Sequence, residues 1–144
     1  MENTFNTSFA RALLTGMSCH CSPEIQKECL SHCASFHYKY VVEKDGLEQY
    51  AGDLNGFIAL EEREWGWKVT IDEKNGKIYA GEGKNYCACP LAENAGEKIP
   101  SALCECSSIF IGKLFSLVLQ REAKAAVTRS FLRDGKTCIY EVTL

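Results

Sequence analysis

Apolar positions in the first third of the chain recur at helical spacing. Phe5, Phe9 and Leu13 fall four apart, and Gly16 is a natural stop. Ser22-Pro23 then reads as an N-cap followed by proline at the first helical position. Ile25, Cys29, Cys33 and Phe36/His37 share one stripe, which predicts a helix to about Tyr40 or a little beyond. Leu47, Tyr50, Leu54 and Phe57/Ile58 make a third stripe that frays near Glu64, weakened at Gly52 and Gly56 by up to ~1 kcal/mol each relative to alanine.

The period changes at Trp65. Trp67, Val69 and Ile71 alternate with polar neighbours, and Asn75-Gly76 separates them from Lys77–Ala80, a strong hairpin signal because both turn residues tolerate positive φ. Tyr86 to Ser107 reads as a long irregular stretch with two prolines and four cysteines, a length that is usually organised by something it holds. Ser108 to Gln120 is apolar nearly all round, which suits a buried helix. Ala125–Phe131 and Lys136–Thr143 read as a second hairpin around Asp134-Gly135.

This order predicts an α+β fold: a helical N-terminal part (1–64), then an antiparallel sheet of about four strands, in two hairpins, packed on a buried helix (65–144). At 144 residues the chain fits one domain, and 46% hydrophobic with 24% charged residues excludes a disordered protein. The net charge of −3, with no basic stripe, argues against nucleic acid or an anionic membrane as partner. No run approaches the ~20 apolar residues of a membrane span, and Met1 to Gly16 lacks the charged and apolar regions of a signal peptide. A cytoplasmic, reducing location is the expectation.

Nine cysteines change the picture. In a reducing compartment, grouped cysteines more often hold metal or do redox chemistry than form structural bridges. Cys87-Ala88-Cys89 and Cys104-Glu105-Cys106 are separated by fourteen residues, and two close thiolate pairs joined by a loop can assemble a tetrahedral zinc site. The one-residue gap within each pair is shorter than is typical, so three cysteines with Glu105 are an equally sensible ligand set. The alternatives are thiol pairs poised for oxidation, or small apolar fillers in a packed loop. Cys19, Cys21, Cys29 and Cys33 are candidates for a second metal or thiol group, with His20, His32 and His37 as spare nitrogen ligands; for Cys29 and Cys33 a buried apolar stripe is the favoured reading. Cys138 reads as strand packing. Trp65, Trp67, Tyr79 and Tyr86 cluster near the first hairpin and either wall an apolar pocket or belong to the core. A glycine-rich phosphate loop, a Gly-x-Ser-x-Gly elbow and a His-Glu-x-x-His helix are all absent.

From Cys87 onward the residues carry a likeness. Cys87-Ala-Cys89-Pro90-Leu91, Leu103-Cys104-Glu105-Cys106-Ser107, Val127-Thr-Arg-Ser130, Asp134-Gly135-Lys136-Thr137-Cys138 and Tyr140-Glu-Val142 resemble the 4-vinyl reductase-type domain. They are also similar to proteins of the L-2-amino-thiazoline-4-carboxylic acid hydrolase-like family. The likeness covers about the last 60 residues and leaves out the N-terminal helices with Cys19 to Cys33. It implies an α+β fold related to TRAPP-type small-molecule-binding domains, often dimeric, with a small apolar ligand. It also implies a metal site, whose matched residues here are Cys89, Cys104, Glu105, Cys106 and Cys138, with Cys87 in addition.

Three functions follow. One is a binding or sensing domain for a small apolar molecule, with zinc holding the 87–106 loop in shape. Another is a zinc-dependent hydrolase of a small amide-like or cyclic substrate, with Glu105 as general base. The third is a thiol redox protein, in which close cysteine pairs cycle to strained disulfides.

Overall fold

The computed structural model describes residues 2–92 and 99–144. Ser22 starts the longest helix as its sequence dictates: its backbone is extended, its Oγ accepts from the Ile25 N–H at 3.4 Å, and Pro23 opens the first turn. The helix, α2 (Pro23–Asp45), outruns the predicted end by about a turn and stops at Gly46, whose φ of 62° suits glycine and whose N–H donates to the Val42 carbonyl. The preceding helix, α1 (Glu2–His20), runs straight through Gly16 instead of ending there. A glycine in an exposed helix interior costs only about 1 kcal/mol, which does not terminate a helix whose neighbours favour it.

The predicted third helix is divided. A single 3₁₀ turn (Leu47–Tyr50) gives way at Gly52, where φ is 81° and the N–H donates to Val118 O at 2.8 Å. Asp53 then caps α3 (Leu54–Leu60) by accepting from the Gly56 N–H at 2.9 Å. A π-helical turn follows (Glu61–Trp65), closed by Gly66 at φ 69°.

Four antiparallel strands form one sheet: β1 (Lys68–Asp72), β2 (Lys77–Gly81), β3 (Lys124–Arg129) and β4 (Ile139–Thr143), in the order β1-β2-β4-β3. The Asn75-Gly76 hairpin stands where the sequence predicts it, with Asp72 Oδ1 accepting from the Asn75 N–H at 3.1 Å. The second hairpin is looser. A one-turn helix, α5 (Phe131–Asp134), sits between β3 and β4 because Ser130 accepts from the Arg133 N–H and Gly135 ends the turn at φ 64°.

The buried helix α4 (Leu103–Leu119) begins five residues before the predicted Ser108 and lies across the inner face of the sheet. Ile78, Ala80, Tyr140 and Val142 from the sheet meet Ile111, Leu114, Phe115 and Val118 from the helix. Contact is closest at Gly112, where an added Cβ would stand 3.3 Å from both Ala123 O and the Ala125 nitrogen. Two helix serines also cover the free edge of β3: Ser108 Oγ accepts from Val127 N–H at 3.0 Å and Ser116 Oγ from Ala123 N–H at 2.9 Å.

A smaller cluster of Leu14, Leu30, Ile99 and Leu103 fixes the inner side of α1. Its opposite side carries Phe5, Phe9 and Leu13, which are 70%, 58% and 62% exposed. Helix α2 is likewise apolar on two sides, with Leu30, Ala34 and Val42 turned inward and Ile25, Phe36 and Tyr40 outward. Among the described residues no helix is long and apolar enough to cross a membrane.

Candidate functional site

Between α2, α4 and the end of β4 lies a cavity of about 430 Å³. The π-helical turn and Gly66 bring Trp65 and Trp67 to one side of it, with the two indoles packed edge-on at 5.8 Å. Trp67 in turn stacks on Tyr140 of β4, with ring centroids 6.0 Å apart and planes 16° from parallel. The opposite wall is His37 of α2 stacked on Phe110 of α4 at 4.1 Å. Burial holds the His37 imidazole below its ordinary pKa, so the neutral ring is favoured there. Val41, Leu103, Ile111 and Leu132 add to the apolar lining, and Asp45, Glu64 and Lys84 bring charge to it.

Five of the nine thiols line this space: Cys87 and Cys89 from the loop, Cys104 and Cys106 from the first turn of α4, and Cys138 just before β4. Cys104 donates to Ser130 Oγ at 3.3 Å, and Cys138 Sγ accepts from the Phe131 N–H at 3.4 Å. All five are free. Burial pushes Cys87 up, Cys89 and Cys138 to about 11, and Cys106 to about 12, so these side chains are thiols rather than thiolates near neutrality.

The early start of α4 puts Cys104, Glu105 and Cys106 on a helix. Side chains two apart on a helix point roughly 200° away from one another. Cys104 accordingly meets Ser130, while Cys106 lies near Cys33 and Cys89. Glu105 is outside the cavity, 3.9 Å from Lys27 Nζ of α2. Among the described residues no three His, Cys, Asp or Glu side chains are grouped so as to hold a metal ion.

The aromatic set divides as well. Tyr79 alternates with the inward Ile78 and Ala80, so it faces the outer side of the sheet, opposite Thr70 and Glu141, away from the cavity. Tyr86 is 55% exposed and is not part of the lining. Cys19, Cys29 and Cys33 are exposed on α1 and α2, and Cys21 is half-buried between the helices; none of the four lines the cavity.

Glu82 lines the cavity without a counterpart in the sequence pattern described above. Glu82, which follows β2, is 9% exposed. Its Oε1 accepts from the Tyr140 hydroxyl at 3.3 Å, and its Oε2 is buried without a hydrogen-bond partner among the described residues. Burial pushes its carboxyl up, opposed by the Tyr140 hydroxyl, Lys84 and the Cys138 thiol. A signal for Glu82 was present: Ile78, Ala80 and Glu82 are two apart, and the alternation of a strand carries the third inward with the first two. The same alternation sends Tyr140 inward with Val142.

No family model matches the chain. No curated protein matches it either. Among solved structures, the chain is similar to the trafficking protein particle complex subunit 3 from Naegleria fowleri covalently bound to palmitic acid, with a TM-score of 0.58 at 12% identity. The match covers 99% of this chain and 95% of that one. The chain therefore has an α+β fold of TRAPP type.

Proposed function

We propose that the chain binds a small apolar molecule in the cavity between α2, α4 and β4. The observation that carries this reading is a space of about 430 Å³ walled by Trp65, Trp67, Phe110, Ile111 and Leu132. Its size falls in the ~300–1,000 Å³ range of small-molecule sites, and a mostly apolar lining with a few polar groups is their usual composition. The structural neighbour, which is covalently bound to palmitic acid, supports a ligand with a long alkyl chain.

The two tryptophans of the sequence both line the cavity, so intrinsic fluorescence is a reporter confined to this space. Titration with a twelve-carbon alkyl probe should change tryptophan emission saturably. Leu132→Trp, which narrows the cavity, should weaken binding of the probe. Saturable binding unchanged by the narrowing would move the ligand elsewhere on the molecule.

A further inference from the structure

The lining is mostly apolar; of its charged residues, Asp45, Glu64, Glu82 and Lys84, Glu82 is the buried one. We propose that Glu82 is the polar anchor of the cavity and that the ligand is an amphiphile whose head donates hydrogen bonds, best an alkyl amine. This deepens the function proposed above and rests on it.

The position of the carboxylate is fixed from both sides. The Glu82 N–H donates to Cys138 O at 3.0 Å, extending the β2–β4 pairing by one residue. The chain then turns at Gly83, where φ is 66° and an added Cβ would meet Gly66 O at 3.0 Å. Only glycine fits that approach, so the side chain before it stays directed inward.

One oxygen of the carboxylate accepts from the Tyr140 hydroxyl, and the other has no hydrogen-bond partner among the described residues. Burying a polar group without a partner costs free energy, more when it is charged. Such groups are few in folded proteins, and each calls for a partner that completes it. In its ionised form Glu82 can only accept, and an ammonium head favours that form, so the group that completes it is a donor. The Cys138 thiol and Lys84 favour the charged form of Glu82, but neither meets hydrogen-bond geometry at Oε2, which has no partner among the described residues. A carboxylate-headed ligand would instead bring a second acceptor of the same charge into a low-dielectric space. An ammonium head would supply both the missing hydrogen bond and the opposite charge.

Glu61 is the instructive contrast. It is fully buried, with both oxygens unpaired among the described residues, yet it does not border the cavity. No ligand there can complete it, whereas Glu82 faces space that a ligand can enter.

The test uses tryptophan emission to titrate the whole chain with dodecylamine, dodecanol and dodecanoate, each below its micelle threshold. The unaltered protein should bind the amine tightest and dodecanoate weakest, with about a tenfold gap between them. Glu82→Gln should bring the three together within about threefold. Equal binding of the three heads by the unaltered protein, or tighter binding of dodecanoate, overturns the anchor and leaves the apolar reading intact. Retention of the amine preference by a folded Glu82→Gln protein also overturns it. Absence of binding by all three defeats the underlying reading as well. The head-group order in the unaltered protein decides the matter even where Glu82→Gln does not fold.

Discussion

The same residue type has two fates in this molecule. Cys19, Cys29 and Cys33 lie exposed on α1 and α2. Cys87, Cys89, Cys104, Cys106 and Cys138 line a cavity, where burial keeps those with a resolved shift protonated. The difference teaches that cysteine spacing reports who is near in sequence, whereas chemistry depends on who is near in space. Two cysteines one residue apart, such as Cys104 and Cys106, are turned to different neighbours by a helix.

The largest test of this contrast is alkylation. At pH 8, Cys19, Cys29 and Cys33 should react with iodoacetamide about a hundredfold faster than Cys89 or Cys138. A thiol whose pKa is about 11 is only ~0.1% thiolate at that pH. Raising the pH toward 11 should narrow the gap, as followed by peptide mass spectrometry; similar rates at pH 8 would break the contrast.

Stability should divide along the same line. Phe110→Ala removes a 7%-exposed wall of the cavity and its stack with His37, and should lower unfolding free energy by ~3–5 kcal/mol. Phe36→Ala, at a position 74% exposed, should stay within ~0.5 kcal/mol. Denaturant titration reads both.

Glu61 sharpens the comparison by pH. Burial raises its carboxyl from the ordinary 4.5 to about 8, so the folded state holds its proton more tightly than the unfolded chain. That stabilisation is complete below pH 4.5 and is lost as pH rises toward 8, with a slope approaching ~1.4 kcal/mol per pH unit. Glu61→Gln should flatten this part of a melting-temperature profile. The smallest effect concerns the sheet edge: Ser108→Ala leaves the Val127 N–H without its acceptor and should cost about 1 kcal/mol by denaturant titration.

Much of the fold is legible in the chain, because the deciding signals are local. Ser22-Pro23 starts a helix and Asn75-Gly76 makes a hairpin whatever surrounds them. The misjudged boundaries also have local explanations. Gly16 is only a weak helix breaker, and Ser130 with Gly135 builds a helical turn where a tight hairpin was expected. The start of α4 was harder to read, since cysteines and Glu105 in its first turn look like loop chemistry, and Ala102 supplies no side-chain cap. The cavity was half legible. Trp65 and Trp67 announce it, but His37, Phe110 and Tyr140 come from three separate elements, and no local pattern says that they converge. Glu82 was readable from alternation alone, yet its glycine neighbours draw the eye to a turn.

The glycine at position 112 sets which way the molecule can breathe. With no side chain there, α4 lies almost backbone to backbone on β3, and Ser108 and Ser116 bolt the two together. That flank has no slack to yield. Across the cavity, the Cys87–Pro90 segment is secured by neither strand pairing nor a helix ladder.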